Sequence, residues 1–350
     1  MHNHISQRYR KLELLTTPSS IFSSLILDLQ RARESIDMEY YIFANDRTGR
    51  LFADILSRKA RQGLRVRLIV DGYGSISLGN NVLHSIAADG VELTRHALLS
   101  RSRHHRKIAI IDGSIAHVGG INIADRYVVG NGLGVWYDAQ LRITGEAVGA
   151  IAQLFDYDYM VSEDIVCEVP SAYGNSSLHV TWSECRSGRA MAELLNGIIA
   201  RARDNVIFVT PYFMPPESVL DSLEGVVDRG VRVMLIVPER CDVLLLDHVM
   251  RRHLSMAVQR GIEVRICRRS FVHAKLAIVD GCKVVVGSAN LDARSINLNQ
   301  EIMVTTDDRG VVEAAGSFVG RLLKMSSVPA AQDVRSLVPA FVCRWFEDWL

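Results

Sequence analysis

Two short segments hold the residue types that could do chemistry. His105, Lys107 and Asp112 stand in the first, and His273, Lys275 and Asp280 in the second. Both fit the pattern H-x-K-x4-D-x6-G-[SG]-x-N, closing on Gly119-Gly120-Ile121-Asn122 and on Gly287-Ser288-Ala289-Asn290. Residues two apart on an extended chain leave the same face, so each histidine projects beside its lysine. The turn at Asp280-Gly281 and the small-residue loop beyond it let the backbone and Asn290 approach whatever the pair holds. An imidazole, an ammonium and an amide around such a loop suit a phosphate ester.

Neither copy suffices alone. Phosphodiester transfer through a covalent intermediate needs a nucleophile, an acid for the leaving oxygen, and cations on the nonbridging oxygens. Two copies facing each other supply all of these without a metal. One imidazole attacks phosphorus to give a phosphohistidine; the other protonates the leaving alcohol and then deprotonates the incoming one. Lys107 and Lys275 hold the developing charge. Asn122, Asn290, Ser288 and loop amides, with Gly120 in the first loop, support the phosphate.

A nucleophilic imidazole also needs an acceptor on its far nitrogen. Asp138, in Trp136-Tyr137-Asp138, and Glu301, in Asn299-Gln300-Glu301, each fall early in the strand after their motif and are the candidates. Asp112 and Asp280 complete the motif and so the candidate catalytic set. About 5 residues of strand span roughly 16 Å, however, which predicts turn or inter-element hydrogen bonding for these two rather than phosphate contact.

The elements around the motifs alternate. Residues 17 to 34 read as a capped amphipathic helix, 35 to 43 as a strand, 48 to 62 as a second helix, 64 to 70 as a strand, 80 to 89 as a third helix and 91 to 94 as a strand leading to the first motif. The second half repeats this: Ala202 to Phe213 matches Ala32 to Phe43, Arg229 to Val237 matches Gln62 to Val70, and Arg260 to Val264 matches Asp89 to Leu93. Near-identical constellations half a chain apart imply a duplicated α/β domain. The least patterned stretch, 170–177, is the expected linker, between domains at 1–169 and 178–350.

Composition narrows the class. With 350 residues and 48% hydrophobic content, the chain can bury a large core. Lys and Arg total 40 against 39 acidic residues, a formal net charge of +1. A nuclease gripping a polyanion more often carries a basic excess, so no nucleic-acid partner is expected. The six cysteines have no metal-ligand spacing, and several sit in apolar runs as small hydrophobes, which suits a reducing compartment. The first residues are polar and no run of about 18 apolar residues occurs, so neither a signal peptide nor a spanning helix is expected.

These residues resemble the phospholipase D superfamily, whose signature is the duplicated motif, from about Ile21 to about Leu322. Three features resemble its bacterial cardiolipin synthase branch, in the shorter forms without N-terminal transmembrane helices. They are Glu39-Tyr40-Tyr41-Ile42-Phe43 with Asp46-Arg47-Thr48-Gly49, His105-Arg106-Lys107-Ile108 with Gly119 to Ile123, and Gly287 to Ser295 with Asn299 and Glu301. Gly120 stands where many superfamily members have Ser, and here too the synthase branch resembles this sequence. The resemblance implies metal-independent ping-pong transfer without a cofactor, with His105 the nucleophile and His273 the acid/base.

The expected fold is therefore α/β: two similar phospholipase D-like domains, each a mixed β-sheet flanked by helices, related by a pseudo-twofold with the active site at their interface. The expected function is phosphatidyl transfer between two phosphatidylglycerols, releasing glycerol, by a protein on the membrane surface at the cytoplasmic face. The alternatives are hydrolysis to phosphatidic acid, a nuclease or phosphodiesterase of the same superfamily, and a membrane-binding pseudoenzyme, which two intact His/Lys pairs disfavour. The oligomeric state is left open.

Other residues weigh less. His84, His96, His179, His248 and His253 read as structural, His104 points away from the His105 face, and His117 has no counterpart in the second copy. Arg101, Arg103 and Arg106 form a basic cluster that is either solvated surface or a headgroup attractor. Tyr212-Phe213-Met214-Pro215-Pro216 is either core packing or, slightly favoured, an apolar wall for acyl chains. The Trp- and Phe-rich C-terminus, Val338 to Leu350, reads as docking onto the protein's own core, with an interfacial anchor as the alternative.

Overall fold

A computed structural model describes residues 11–160, 172–175, 178–183 and 189–336. The motif strands lie at the middle of two mixed sheets. In the first, the order is Leu12–Leu15, Gln140–Thr144, Ile115–Gly119, Lys107–Ile111, Ser35–Tyr40, Arg65–Val70 and Glu92–Arg95. The last three run parallel, joined by helices, and the hairpin of the motif adds to them antiparallel. The second sheet repeats the seven strands: Leu178–Trp182, Ile302–Thr306, Lys283–Gly287, Leu276–Val279, Asn205–Val209, Arg232–Pro238 and Glu263–Cys267. It gains an edge strand at each end, Ala172–Asn175 and Ser326–Ser327.

The helices form where caps and apolar spacing direct them. Pro18–Arg31 starts on Thr17, whose hydroxyl accepts from the Ser20 amide, and Arg47–Arg61 starts on Asp46, which accepts from the Gly49 amide. With Gly79–Ala88 they cover the outer face of the first sheet. Arg189–Arg201, Glu217–Asp228 and Leu244–Gln259 cover the corresponding face of the second. The two inner faces and the helices Ala147–Met160 and Arg309–Lys324 share one core, in which Ile108, Ile110, Val118 and Leu141 of the first half meet Ile278, Val284, Val286 and Val304 of the second.

Several expectations change here. Part of the expected linker, Ala172–Asn175, is a strand paired with Leu178–Trp182, and the rest of 170–177 lies outside the described residues, as does Val338 to Leu350. Phe213 and Met214 do not wall a cleft: both are buried in the outer core of the second half, in a short parallel pair with Leu291–Asp292. Arg106 leaves the basic cluster altogether. It alternates to the face opposite Lys107, where it is fully buried and bonds Asp158.

Candidate active site

The two motifs meet because each half's backbone pairs with the other's just before its histidine. Ser270–Val272 runs parallel to Val135–Tyr137, and the amides of His273 and Ala274 both donate to the Tyr137 carbonyl, at 2.7 and 3.2 Å. On the other side the Gln300 amide donates to the Arg103 carbonyl at 2.9 Å, and the His105 amide to the Gln300 carbonyl at 3.0 Å. Each histidine is thus registered against the segment that ends in the other half's carboxylate.

The carboxylates are accordingly exchanged. His105 Nδ1 lies 2.8 Å from Oε1 of Glu301, and His273 Nδ1 lies 2.7 Å from Oδ2 of Asp138. Both acids are buried, and neither lies within the strand as expected: Asp138 sits between Val135–Tyr137 and Gln140–Thr144, and Glu301 directly precedes Ile302–Thr306. Glu301 also accepts from the Ser288 hydroxyl, and the Ser288 oxygen accepts from the Ile302 amide. Asp138 has no hydroxyl in that place, because the equivalent of Ser288 is Gly120. A Cβ there would stand 2.4 Å from Asp138 Oδ1 and 3.0 Å from Cδ of Lys275. Gly120 therefore makes room for the carboxylate rather than holding a phosphate through a side chain.

The lysines close the constellation. Lys107 Nζ donates to the His105 carbonyl, and Lys275 Nζ to the His273 carbonyl at 2.6 Å, with both His273 ring nitrogens 3.0 Å away. Aromatic rings wall the imidazoles: Tyr41 stands 4.9 Å from His105, and Tyr127 and Trp136 stand 5.1 and 5.5 Å from His273. The sequence reading did not single out these aromatics as walls, although Tyr41 and Trp136 lie in segments it quoted.

Burial sets the protonation states. It pushes His105 down to about 4 against the pull of Glu301, and His273 down to about 3, helped by Lys275. Burial also lowers Lys275 to about 8 and holds Lys107 well below its usual range. Glu301 is held low: burial would raise it, but His105 and Lys107 outweigh that. Each lysine's charge is felt by the other half's histidine, so the four groups act on one another across the interface. Both imidazoles are neutral at pH 7, and the buried carboxylates Glu301 and Asp138 favour the charged form of both lysines against burial.

The remaining motif residues do local work. The Asn122 oxygen accepts from the Ile42 amide at 3.0 Å and its amide donates to Tyr127 at 2.7 Å. Asn290 faces Asp292 and leaves its own buried Oδ1 without a partner. Asp112, placed in the catalytic set by motif, turns away from the site: its carboxylate accepts from the amides of Arg33, Glu34 and Ser35. Asp280 does the same with Arg203, Asp204 and Asn205. Both have positive φ, 52° and 50°, at the turns that end the motif strands.

Among the described residues, Glu39, His104 and Asp158 bring possible metal-ligand atoms within 4.8 Å of one another. The buried Arg106 guanidinium bonds Asp158 and lies 3.9 Å from Glu39, so a cation already occupies that position.

The fold and this site define a duplicated phospholipase D-like protein. The sequence matches the family described as "Cardiolipin synthase, PLD-like domain" over residues 25–158 and 195–321, and the chain belongs to that family. It is 33% identical over 308 residues to a cardiolipin synthase of Geobacillus kaustophilus (strain HTA426), covering 83% of this chain and 61% of that one. It is 32% identical over 314 residues to the probable cardiolipin synthase YwiE of Bacillus subtilis (strain 168), covering 85% and 63%. The chain thus spans less than two thirds of the length of these relatives. In fold it is similar to a phosphatidylserine synthase of Haemophilus influenzae Rd KW20, with a TM-score of 0.76 at 15% identity, covering 97% of this chain and 92% of that one.

Proposed function

We propose that the protein is a phosphatidyltransferase of the cardiolipin synthase type, joining two phosphatidylglycerols and releasing glycerol. Supporting this reading above all is the exchange of carboxylates, Glu301 behind His105 and Asp138 behind His273, which leaves two oriented imidazoles and two ammoniums around one cleft. The family and its curated relatives supply the lipid substrate class.

In the first half-reaction neutral His105 attacks phosphorus, the P–O bond to glycerol breaks, and His273 delivers a proton to the departing oxygen. A phosphodiester anion between the lysines raises the imidazole pKa values by direct attraction, which is what His273 needs to carry that proton. In the second, His273 takes the proton from a hydroxyl of the incoming phosphatidylglycerol, whose oxygen attacks the phosphohistidine and breaks the P–N bond. Lys107 and Lys275 hold the charge on the nonbridging oxygens throughout.

The protein works from the surface of the membrane that holds its substrate, on the cytoplasmic face. Among the described residues no helix is long and apolar enough to cross a membrane. Leu99 is 91% exposed and Leu98 43%, on the loop that carries the chain toward Arg101 and His105, which favours an interfacial contact.

The test is headgroup-labelled phosphatidylglycerol in mixed vesicles without divalent metal, resolving the lipid products. Cardiolipin and free glycerol are expected, both lost in His105→Ala along with any trapped phosphoenzyme. Phosphatidic acid alone would keep the site and move the protein to the hydrolases. No turnover of any phospholipid would overturn the reading.

A further inference from the structure

We infer that Arg103 and Arg294 form a second anion subsite, which takes the phosphate of the acceptor lipid while the two lysines hold the phosphate that reacts. The inference rests on the transfer reading above and deepens it.

Duplication first draws attention to Arg294. It stands four residues after Asn290, as Arg126 stands four after Asn122. Arg126 lies over the rings of Tyr127 and Trp136 at 5.3 and 5.5 Å and feels the negative charge of Asp242 of the second half. Arg294 likewise reaches across the interface, where Nη2 donates to the Arg101 carbonyl at 2.6 Å. This brings it into the loop that precedes His105.

Arg103 is fixed in the same loop. Its amide donates to Asn299 at 3.3 Å, its guanidinium lies 4.5 Å over Tyr73, and Nη1 donates to the Leu98 carbonyl at 3.1 Å. Two half-buried guanidiniums are therefore prepositioned near one another, and burial, with the repulsion of Arg103, lowers Arg294 below the usual arginine range.

Asp71 and Asp292 lie close enough to attract them, but no carboxylate is bonded to either guanidinium among the described residues. Among the described residues, none of Arg101, Arg103 and Arg294 makes an ion pair, whereas Arg67, Arg142, Arg260 and Arg268 all do. The nearby carboxylates are committed elsewhere. Asp71 accepts from the amides of Tyr73, Gly74 and His104, and Asp292 accepts from the Ser295 amide. Guanidinium forks held ready without a bonded carboxylate match a phosphodiester.

The position fits the product. Tyr41 adjoins both this pair and the reacting imidazole: its ring stands 4.9 Å from His105 and 5.3 Å from Lys107 Nζ, and its phenol lies near enough to Arg103 and Arg294 to feel both charges. The transfer product carries two phosphates joined by one glycerol. A subsite beside this tyrosine would hold the acceptor's own phosphate while its free hydroxyl meets the phosphohistidine. Water has no phosphate to place there, so the subsite favours transfer over hydrolysis.

The experiment reads the ratio of cardiolipin to phosphatidic acid made from phosphatidylglycerol vesicles. In Arg103→Gln/Arg294→Gln the ratio should fall by about tenfold or more, with partial recovery in Arg294→Lys. A ratio unchanged from wild type, even with both products reduced, overturns the inference. Circular dichroism melting checks that the variants fold; should the double variant not fold, Arg103→Gln alone gives the same readout and should lower the ratio.

Calorimetric titration with sn-glycerol 3-phosphate gives a second arm, independent of turnover. Two sites are expected in wild type and one in the double variant, and equal stoichiometry overturns the subsite. If wild type makes no cardiolipin, the transfer reading fails and this titration alone decides whether the anion site exists.

Discussion

His273 and Lys275 sit so close that the charge of one governs the other. The ammonium lies 3.0 Å from both ring nitrogens, and burial has already lowered the lysine to about 8. Below that pH Lys275 is charged and stabilises the transition state; above it the charge, and with it rate, is lost. His105 is neutral above about 4, so the nucleophilic form is lost only below that value. Because free His273 is neutral above about 3 and must take up the proton it delivers, kcat/KM should fall steadily as pH rises above about 4 and fall more steeply through about 8, where the charge of Lys275 is lost as well. Lys275→Arg, whose guanidinium stays protonated, should lower kcat/KM throughout and remove the steeper fall near 8. A steeper fall that persists near 8 in that variant would assign the titration to another group. At this scale the sequence was informative about identity and silent about partnership. Asp138 and Glu301 could be picked out as acceptors, yet which acid serves which histidine depends on the crossing of the two halves.

The motif hairpins need an anchor, because a lysine two residues past a histidine is useful only if the strand holds its register. Asp112 supplies one by gathering three amides where the strand Lys107–Ile111 meets the entry to Ser35–Tyr40. Its carboxyl is held below its usual range: burial works against this, but the amides of Glu34, Ser35 and Arg33 outweigh it. Asp112→Ala should strand those amides in a half-solvated turn and cost about 1–3 kcal/mol of stability, read as a lowered denaturation midpoint. Asp280→Ala should behave alike, since Asp280 makes the same contacts in the second half. Unchanged midpoints in both would remove the anchoring role. Strand spacing alone predicted this function, because it put the aspartates too far from the lysines. The same alternation argument applied to Arg106 would have turned it inward, away from Arg101 and Arg103. Charge proximity in sequence hid that.

The two halves are one folding problem. Each sheet turns its outer face to its own helices, but the inner faces have no cover except each other and the two long helices between them. Neither half can bury Ile108, Ile110 and Val118, or Ile278, Val284 and Val286, without its counterpart. The site has the same dependence, since each imidazole takes its carboxylate from across the interface. Duplication was legible in the sequence because the motif repeats; the shared core was not, because continuous apolar strands read alike whether they face a helix or another sheet. Cutting the chain between residues 160 and 172 should therefore yield fragments that expose a large apolar face when made singly, binding a hydrophobic dye and aggregating. Coexpressed, they should associate and recover activity. The decisive version puts His105→Ala on one fragment pair and Glu301→Gln on another. Both should be inactive at the same step, phosphoenzyme formation, although the two residues reside on different fragments. A folded, monomeric single fragment would show that each half has its own core, and phosphoenzyme formation unaltered in the Glu301→Gln pair would show that the exchange has no part in the chemistry.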